Sequence, residues 1–213
     1  YFSQVPIAAL VEKGEGMGIR QLLGMKLFWI FGLLMLCSGA SELAMSQWAS
    51  AFAESGLKVS KTAGDLAGPC LFAVLMGSSR VFYAKFSEKI RLANFMAASG
   101  VLCVCSYLLA VFAPVPVLGL LGCALCGLSV GIMWPGTFSL AAAACPKGGT
   151  AMFALFALAG DLGCTTGPSL VGLVSGKLSG SLQSGLAAAI VFPILFLLAL
   201  VLLKRNTEHT AEL

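Results

Sequence analysis

Long uninterrupted apolar runs dominate the chain, and its polar residues gather in short clusters between them. Crossing roughly 30 Å of hydrocarbon takes about 20 helical residues at 1.5 Å each. Six runs meet that length, at 27–48, 62–82, 92–112, 117–144, 150–176 and 186–203. They are continuously apolar rather than alternating, unlike the strands of about ten residues that build a membrane barrel. The pattern predicts an all-α, polytopic membrane protein with six transmembrane helices. Residues 1–26 then form a cytoplasmic linker leading into the bundle, 27–203 the bundle itself, and 204–213 a cytoplasmic tail.

Composition agrees with this reading. Of the 213 residues, 59% are hydrophobic and 10% charged, whereas a soluble domain carries roughly 25% charge. Lipid must cover the surface that charge would otherwise solvate. Lysine and arginine set the orientation, because they collect on the cytoplasmic side of membrane proteins. With the N-terminus inside, ten of the 13 basic residues fall in inner segments, leaving Lys58, Lys61 and Lys177 outside. Both termini are therefore expected in the cytoplasm. The connections are too short to fold as separate domains, and Pro114 and Pro116 in "APVPV" stop one helix and start the next. The opening "YFSQVPIAALVEKGEGMGIRQLLGMK" has no signal-peptide pattern, and the chain reads as part of something longer.

The eight cysteines lie in or beside apolar segments, where thiols act as small hydrophobes. Cys123 and Cys126 form a CxxC, but mid-helix and without a second pair, so neither a redox nor a zinc site is expected. The single histidine, His209, lies in the polar tail. No metal or cofactor and no nucleic-acid partner is expected.

Two charged residues lie well inside the spans, Glu42 and Asp161, and each costs about 2.5–3.5 kcal/mol at mid-depth on insertion scales. Glu42 lies in "LCSGASELAMSQW", where helical spacing puts Ser38, Ser41, Glu42 and Met45 on one face. Asp161 lies in "AGDLGCTTGPSLVG", roughly 16 Å from the cytoplasmic end of its span, with Thr165 one turn further on. Each carboxyl can bind a solute or a coupling proton, or can be protonated and lock neighbouring helices. Gly163-x-x-x-Gly167, extended by Gly160 and Gly172, is a small-residue face for close helix approach, and Pro168 bends the helix beside it. The fourth run holds "GLSVGIMWPGTFS", where Gly131, Pro135 and Gly136 predict a broken helix lining a cavity. Trp134 and Thr137 are placed to face such a cavity, and Gln47 and Trp48 stand near the outer end of the first span.

These features resemble the C-terminal half of a major facilitator superfamily transporter. The resemblance rests on six spans with both ends inside, the GxxR of Gly77 to Arg80 opening a basic inner loop, and Gly163-x-x-x-Gly167-Pro168. "GASELAMSQW", "GIMWPGTFS" and "AGDLGCTTGPSLVG" are most similar to bacterial fucose-permease-like members. The resemblance implies helices seven to twelve of a twelve-helix fold, completed by an N-terminal six-helix half. It also implies an inner-loop gate at Gly77, Arg80 and Lys85, although Ser79 stands where the family signature has an acidic residue.

The expected function is secondary active transport of a small polar solute, such as a sugar, across the cell membrane by alternating access, as a proton symporter. The cavity candidates are Glu42, Ser38, Ser41, Gln47, Trp48, Trp134, Thr137, Asp161 and Thr165; Gly160, Gly163, Gly167, Pro168, Gly172 and Pro135 are expected to serve packing and hinging. The alternatives are a non-transporting helper or scaffold bundle, or efflux of drug-like organic solutes. A lipid-modifying enzyme would need a nucleophile with its base, or a metal set, within the membrane. The spans contain no histidine to act as such a base and no HExxH.

Overall fold

A computed structural model describes residues 16–50, 54, 60, 62, 66–177 and 181–211, all helices and connections without strands. Most of the expected linker and most of the polar loop after the first span lie outside the described residues. A short helix, α1 (Ile19–Leu23), precedes the first long one, α2 (Lys26–Ser46). Its Leu22 is buried, and just before it the Met17 N–H donates to the Lys147 carbonyl at 2.9 Å. A π turn (Leu66–Cys70) leads into α3 (Leu71–Phe86), followed by α4 (Leu92–Phe112). Next come α5 (Pro116–Val130), α6 (Met133–Ala144), α7 (Gly149–Lys177), α8 (Leu182–Ala189) and α9 (Val191–Ala211).

Five of the expected spans are long and apolar enough to cross a membrane among the described residues: Lys26–Ser46, Leu92–Phe112, Val117–Ala144, Gly149–Lys177 and Leu182–Asn206. The expected second span, 62–82, corresponds to the π turn and α3, which continues past that range to Phe86. Positions 63–65 at its start lie outside the described residues.

Two spans that read as single runs are each divided in two, and proline explains both breaks. Pro135 has no N–H for the carbonyl four residues earlier, so the fourth span opens at Gly131–Ile132 between α5 and α6. Pro193 likewise withholds a donor from Ala189, and the last span breaks at Ile190 between α8 and α9. Pro168 sits inside α7 without dividing it.

The most extensive contact joins α2 and α7. Between helices in lipid there is little hydrophobic driving force, so association depends on close packing. Glycine makes that possible on both sides. A Cβ built on Gly163 would overlap the Leu36 carbonyl, and one on Gly167 would overlap the Ala40 carbonyl. A Cβ on Gly39 would overlap the Gly160 carbonyl and come within 2.9 Å of the Cys164 sulfur. The pairings 36 with 163 and 40 with 167 advance together, so the two helices run parallel. Further toward their N-terminal ends the glycines give way to rings: Phe28 stacks on Phe156 with centroids 5.0 Å apart, and Phe31 lies beside it at 6.0 Å.

Elsewhere the same principle repeats. Gly127 meets the Phe72 backbone, joining α5 to α3, and Gly122 meets the backbone of Ser106 and Ala110, joining α5 to α4. At the centre, the fully buried Tyr107 donates its hydroxyl to the Ser41 carbonyl at 2.8 Å, tying α4 to α2. Cys123 and Cys126 are buried there too: Cys126 lies 4.0 Å from Cys103, and Cys123 lies 3.4 Å from the Met45 sulfur.

Gly163→Val is expected to destabilise the protein by about 1–3 kcal/mol through overpacking, seen as a lower Tm in detergent. Gly176→Val on the same helix has open space around its Cβ and should leave Tm nearly unchanged. Equal shifts for the two variants would remove the glycine contact as the basis of α2–α7 packing.

Candidate solute and coupling site

The tight α2–α7 contact fixes which way α7 faces. Gly160, Gly163 and Gly167 are buried against the bundle, so the residues about 100° around the helix face outward. That outer stripe carries Asp161, Thr165, Thr166 and Ser169, all exposed. Thr165 donates to the Asp161 carbonyl at 3.0 Å and Ser169 to the Thr165 carbonyl at 2.7 Å, so the two hydroxyls follow the backbone along one line. Leu158 and Leu162 on the same side are 55% and 53% exposed, so no helix among the described residues covers the stripe. A mid-depth carboxylate facing lipid is too costly to persist, and the stripe must meet water or protein.

Glu42 is half-buried at the edge of the same contact. It lies within Coulombic reach of the Arg80 guanidinium, and Cys164 lies within such reach of both Glu42 and Asp161. Glu42 of α2 and Asp161 of α7 therefore share one polar edge, with Arg80 of α3 felt there through longer-range charge.

The expected α2 face does not hold together. Ser38 and Ser41 are 1% and 0% exposed, and Met45 is fully buried with them, while Glu42 alone of the four reaches the edge. The reason is the width of the contact around α2, which is packed against α7 on one side and the Tyr107 side of the bundle on another. Neither serine hydroxyl has a hydrogen-bond partner among the described residues. Thr137 is also fully buried, its hydroxyl donating to the Met133 carbonyl at 2.6 Å. In this conformation Ser38, Ser41 and Thr137 are bundle-interior residues and not cavity-lining ones.

Trp134 is half-buried and lies over Gly160, where a Cβ would run into its ring. It also meets Phe138 edge-on, with centroids 6.3 Å apart. The glycine is thus the seat of the indole. Trp48 reaches α7 instead of lying only at a membrane interface: its indole N–H points to the Pro168 carbonyl at a long 3.4 Å, and its ring lies 3.4 Å from where a Gly172 Cβ would be. Gln47 is exposed as the C-cap of α2.

Arg80 has a partner that the break in the fourth span creates. The Gly131 carbonyl would normally accept from residue 135, which is proline, and the Arg80 Nε–H donates to it at 2.9 Å. The buried Ser79 packs beside it, 3.0 Å from where a Gly131 Cβ would stand. Arg80 thus closes a helix C-terminus through its carbonyl, an arrangement also favoured by the helix dipole. Its partner lies in the middle of the fourth span, whereas Gly77 has open space around it and Lys85 is exposed near the end of α3. The three residues expected to act together as a loop gate therefore stand in different surroundings.

Glycine-packed, proline-broken apolar helices long enough to cross a membrane define a multi-pass membrane protein. A sequence profile described as Major Facilitator Superfamily matches residues 3–168, well over half of the chain. The chain belongs to the Major Facilitator Superfamily, whose members are secondary transporters and not enzymes. No curated protein matches the chain.

A double-mutant cycle tests the Arg80–Gly131 bond. Arg80→Gln should cost about 1.5–3 kcal/mol, the range for a hydrogen bond to a charged group. In a Pro135→Ala background, where the helix regains its missing donor, the same change should cost less than half as much. Additive losses in Tm would show that Arg80 does not serve the carbonyl that Pro135 leaves open.

Proposed function

We propose that this bundle is one half of a proton-coupled symporter for a small polar solute, such as a sugar, working by alternating access in the cell membrane. The observation that carries this reading is the uncovered polar stripe of α7, Asp161 to Ser169, running beside Glu42. Such a surface needs an aqueous cavity and a second wall. The second wall is an N-terminal six-helix half, and this chain contributes six spans with both termini cytoplasmic. The likeness to fucose-permease-like members supports a sugar over a drug-like organic solute.

The roles follow from position. Asp161, Thr165 and Ser169 present a carboxylate and two hydroxyl oxygens to the cavity, a set suited to sugar hydroxyls. Trp134, seated on Gly160, offers an apolar ring to the solute. Glu42 carries the proton: when ionised it is held toward Arg80, and when protonated that attraction is gone. Arg80 stays attached to the break between α5 and α6, so the change of charge is felt where the fourth span can bend. The glycine contact keeps α2 and α7 moving as a unit while the two halves rock.

The test is transport in proteoliposomes, after a thermal-shift screen of hexoses, nucleosides and organic cations has identified a solute. Glu42→Gln should abolish accumulation driven by an imposed pH gradient while solute exchange continues, and Leu43→Ala should transport normally. Asp161→Asn should weaken solute binding at least about tenfold, the effect of losing a charge-assisted hydrogen bond. Unchanged pH dependence in Glu42→Gln would remove its coupling role, and a screen answering only to organic cations would remove the sugar.

A further inference from the structure

A groove of about 600 Å³ opens between α4, α6 and α9, apart from the polar edge of α2 and α7. Its walls are apolar, with Ala97, Leu140, Leu197 and Leu200 among them, and the fully buried Phe31 of α2 lies at its floor. Its rim is different. Arg91, Asn94 and Lys204 stand there, all three exposed. Arg91 is the N-cap of α4, and Lys204 lies toward the C-terminal end of α9, which runs antiparallel beside it, so both cations belong to the same end of the bundle.

The lining excludes most ligand classes. A small inorganic anion would suit the rim but leave an apolar trough of this size wet. A neutral apolar molecule would fill the trough but make no use of two cations. The volume lies within the roughly 300–1,000 Å³ of ordinary small-molecule sites. The helices that form the groove are apolar enough to cross a membrane, so its mouth stands at headgroup level and its length at the level of the chains. One ligand class matches both parts, an amphiphile with an anionic head and a hydrocarbon tail. Basic pockets between membrane helices recognise anionic headgroups in this way.

We infer that the groove holds an anionic phospholipid, with one acyl chain along Ala97, Leu140 and Leu197 and its phosphate between Arg91 and Lys204. Asn94, three residues after Arg91 in the first turn of α4, adds an amide donor to the headgroup. A lipid so placed bridges α4, α6 and α9, and holds the last span against the second half of the broken fourth span. The assignment does not depend on which solute is carried.

The test uses the full-length protein in nanodiscs of mixed phosphatidylcholine and phosphatidylglycerol, with retained lipid counted by native mass spectrometry after transfer to detergent. Phosphatidylglycerol should be retained over phosphatidylcholine by roughly thirtyfold, as two membrane-facing cations would give. Arg91→Gln with Lys204→Gln should bring the ratio close to one, while Arg91→Lys with Lys204→Arg should keep it. Ala97→Phe, which fills the trough, should reduce retention of both lipids. Arg20→Gln with Lys147→Gln, which removes as much charge elsewhere, should leave the ratio unchanged. An equal fall in that control pair, or a preference that survives loss of Arg91 and Lys204, would overturn the site in favour of diffuse surface charge. Displacement of the bound lipid by glycerol phosphate alone would overturn it in favour of a simple phosphate site.

Discussion

The close approach of α2 and α7 organises the rest of the bundle. In lipid, apolar side chains gain little by meeting one another, so two helices stay together where their backbones come near enough for dense contact. Gly39 on one helix and Gly160, Gly163 and Gly167 on the other allow that approach, each at a point where a methyl group would strike backbone or a ring. The consequence reaches beyond stability. With the glycines turned inward, α7 has only one orientation, and Asp161 and Thr165 must face away from the bundle. The same contact leaves a flat seat at Gly160 for Trp134, so one small residue serves both a helix interface and an aromatic wall.

Proline supplies the second constraint. A residue without an N–H leaves a carbonyl open in an apolar medium, and that carbonyl must find a partner or bend away. Pro193 and Pro135 each divide a span, and the break before Pro135 receives a charged side chain, Arg80. A cation within a span is tolerable when its side chain has such an acceptor, and the exposed Arg80 has the Gly131 carbonyl. A backbone defect, a buried serine and a cation thus share one region.

Much of this could be read along the chain, for identifiable reasons. Apolar length announces spans, and the three-and-four spacing of Gly160, Gly163 and Gly167 announces a packing face. The break at Gly131 follows from Pro135 four positions later, and the same spacing marks the open carbonyl that Arg80 fills. The α2 residues were legible only in part. Helical spacing groups Ser38, Ser41, Glu42 and Met45, but it cannot say how many neighbours surround α2. Tyr107 gave no signal of its role, because an aromatic in an apolar run looks the same whether it faces lipid or reaches a carbonyl 66 positions away in sequence.

The sequence by itself determined that this is a helical membrane protein with glycine-lined and proline-broken spans, because hydrocarbon admits only backbone that satisfies itself and the choice of residue is local. Only the tertiary structure decided that Glu42 and Asp161 reach the polar edge while Ser38, Ser41 and Thr137 do not. Burial is a property of how many helices crowd a given face, and that number is set by contacts between segments far apart in the chain.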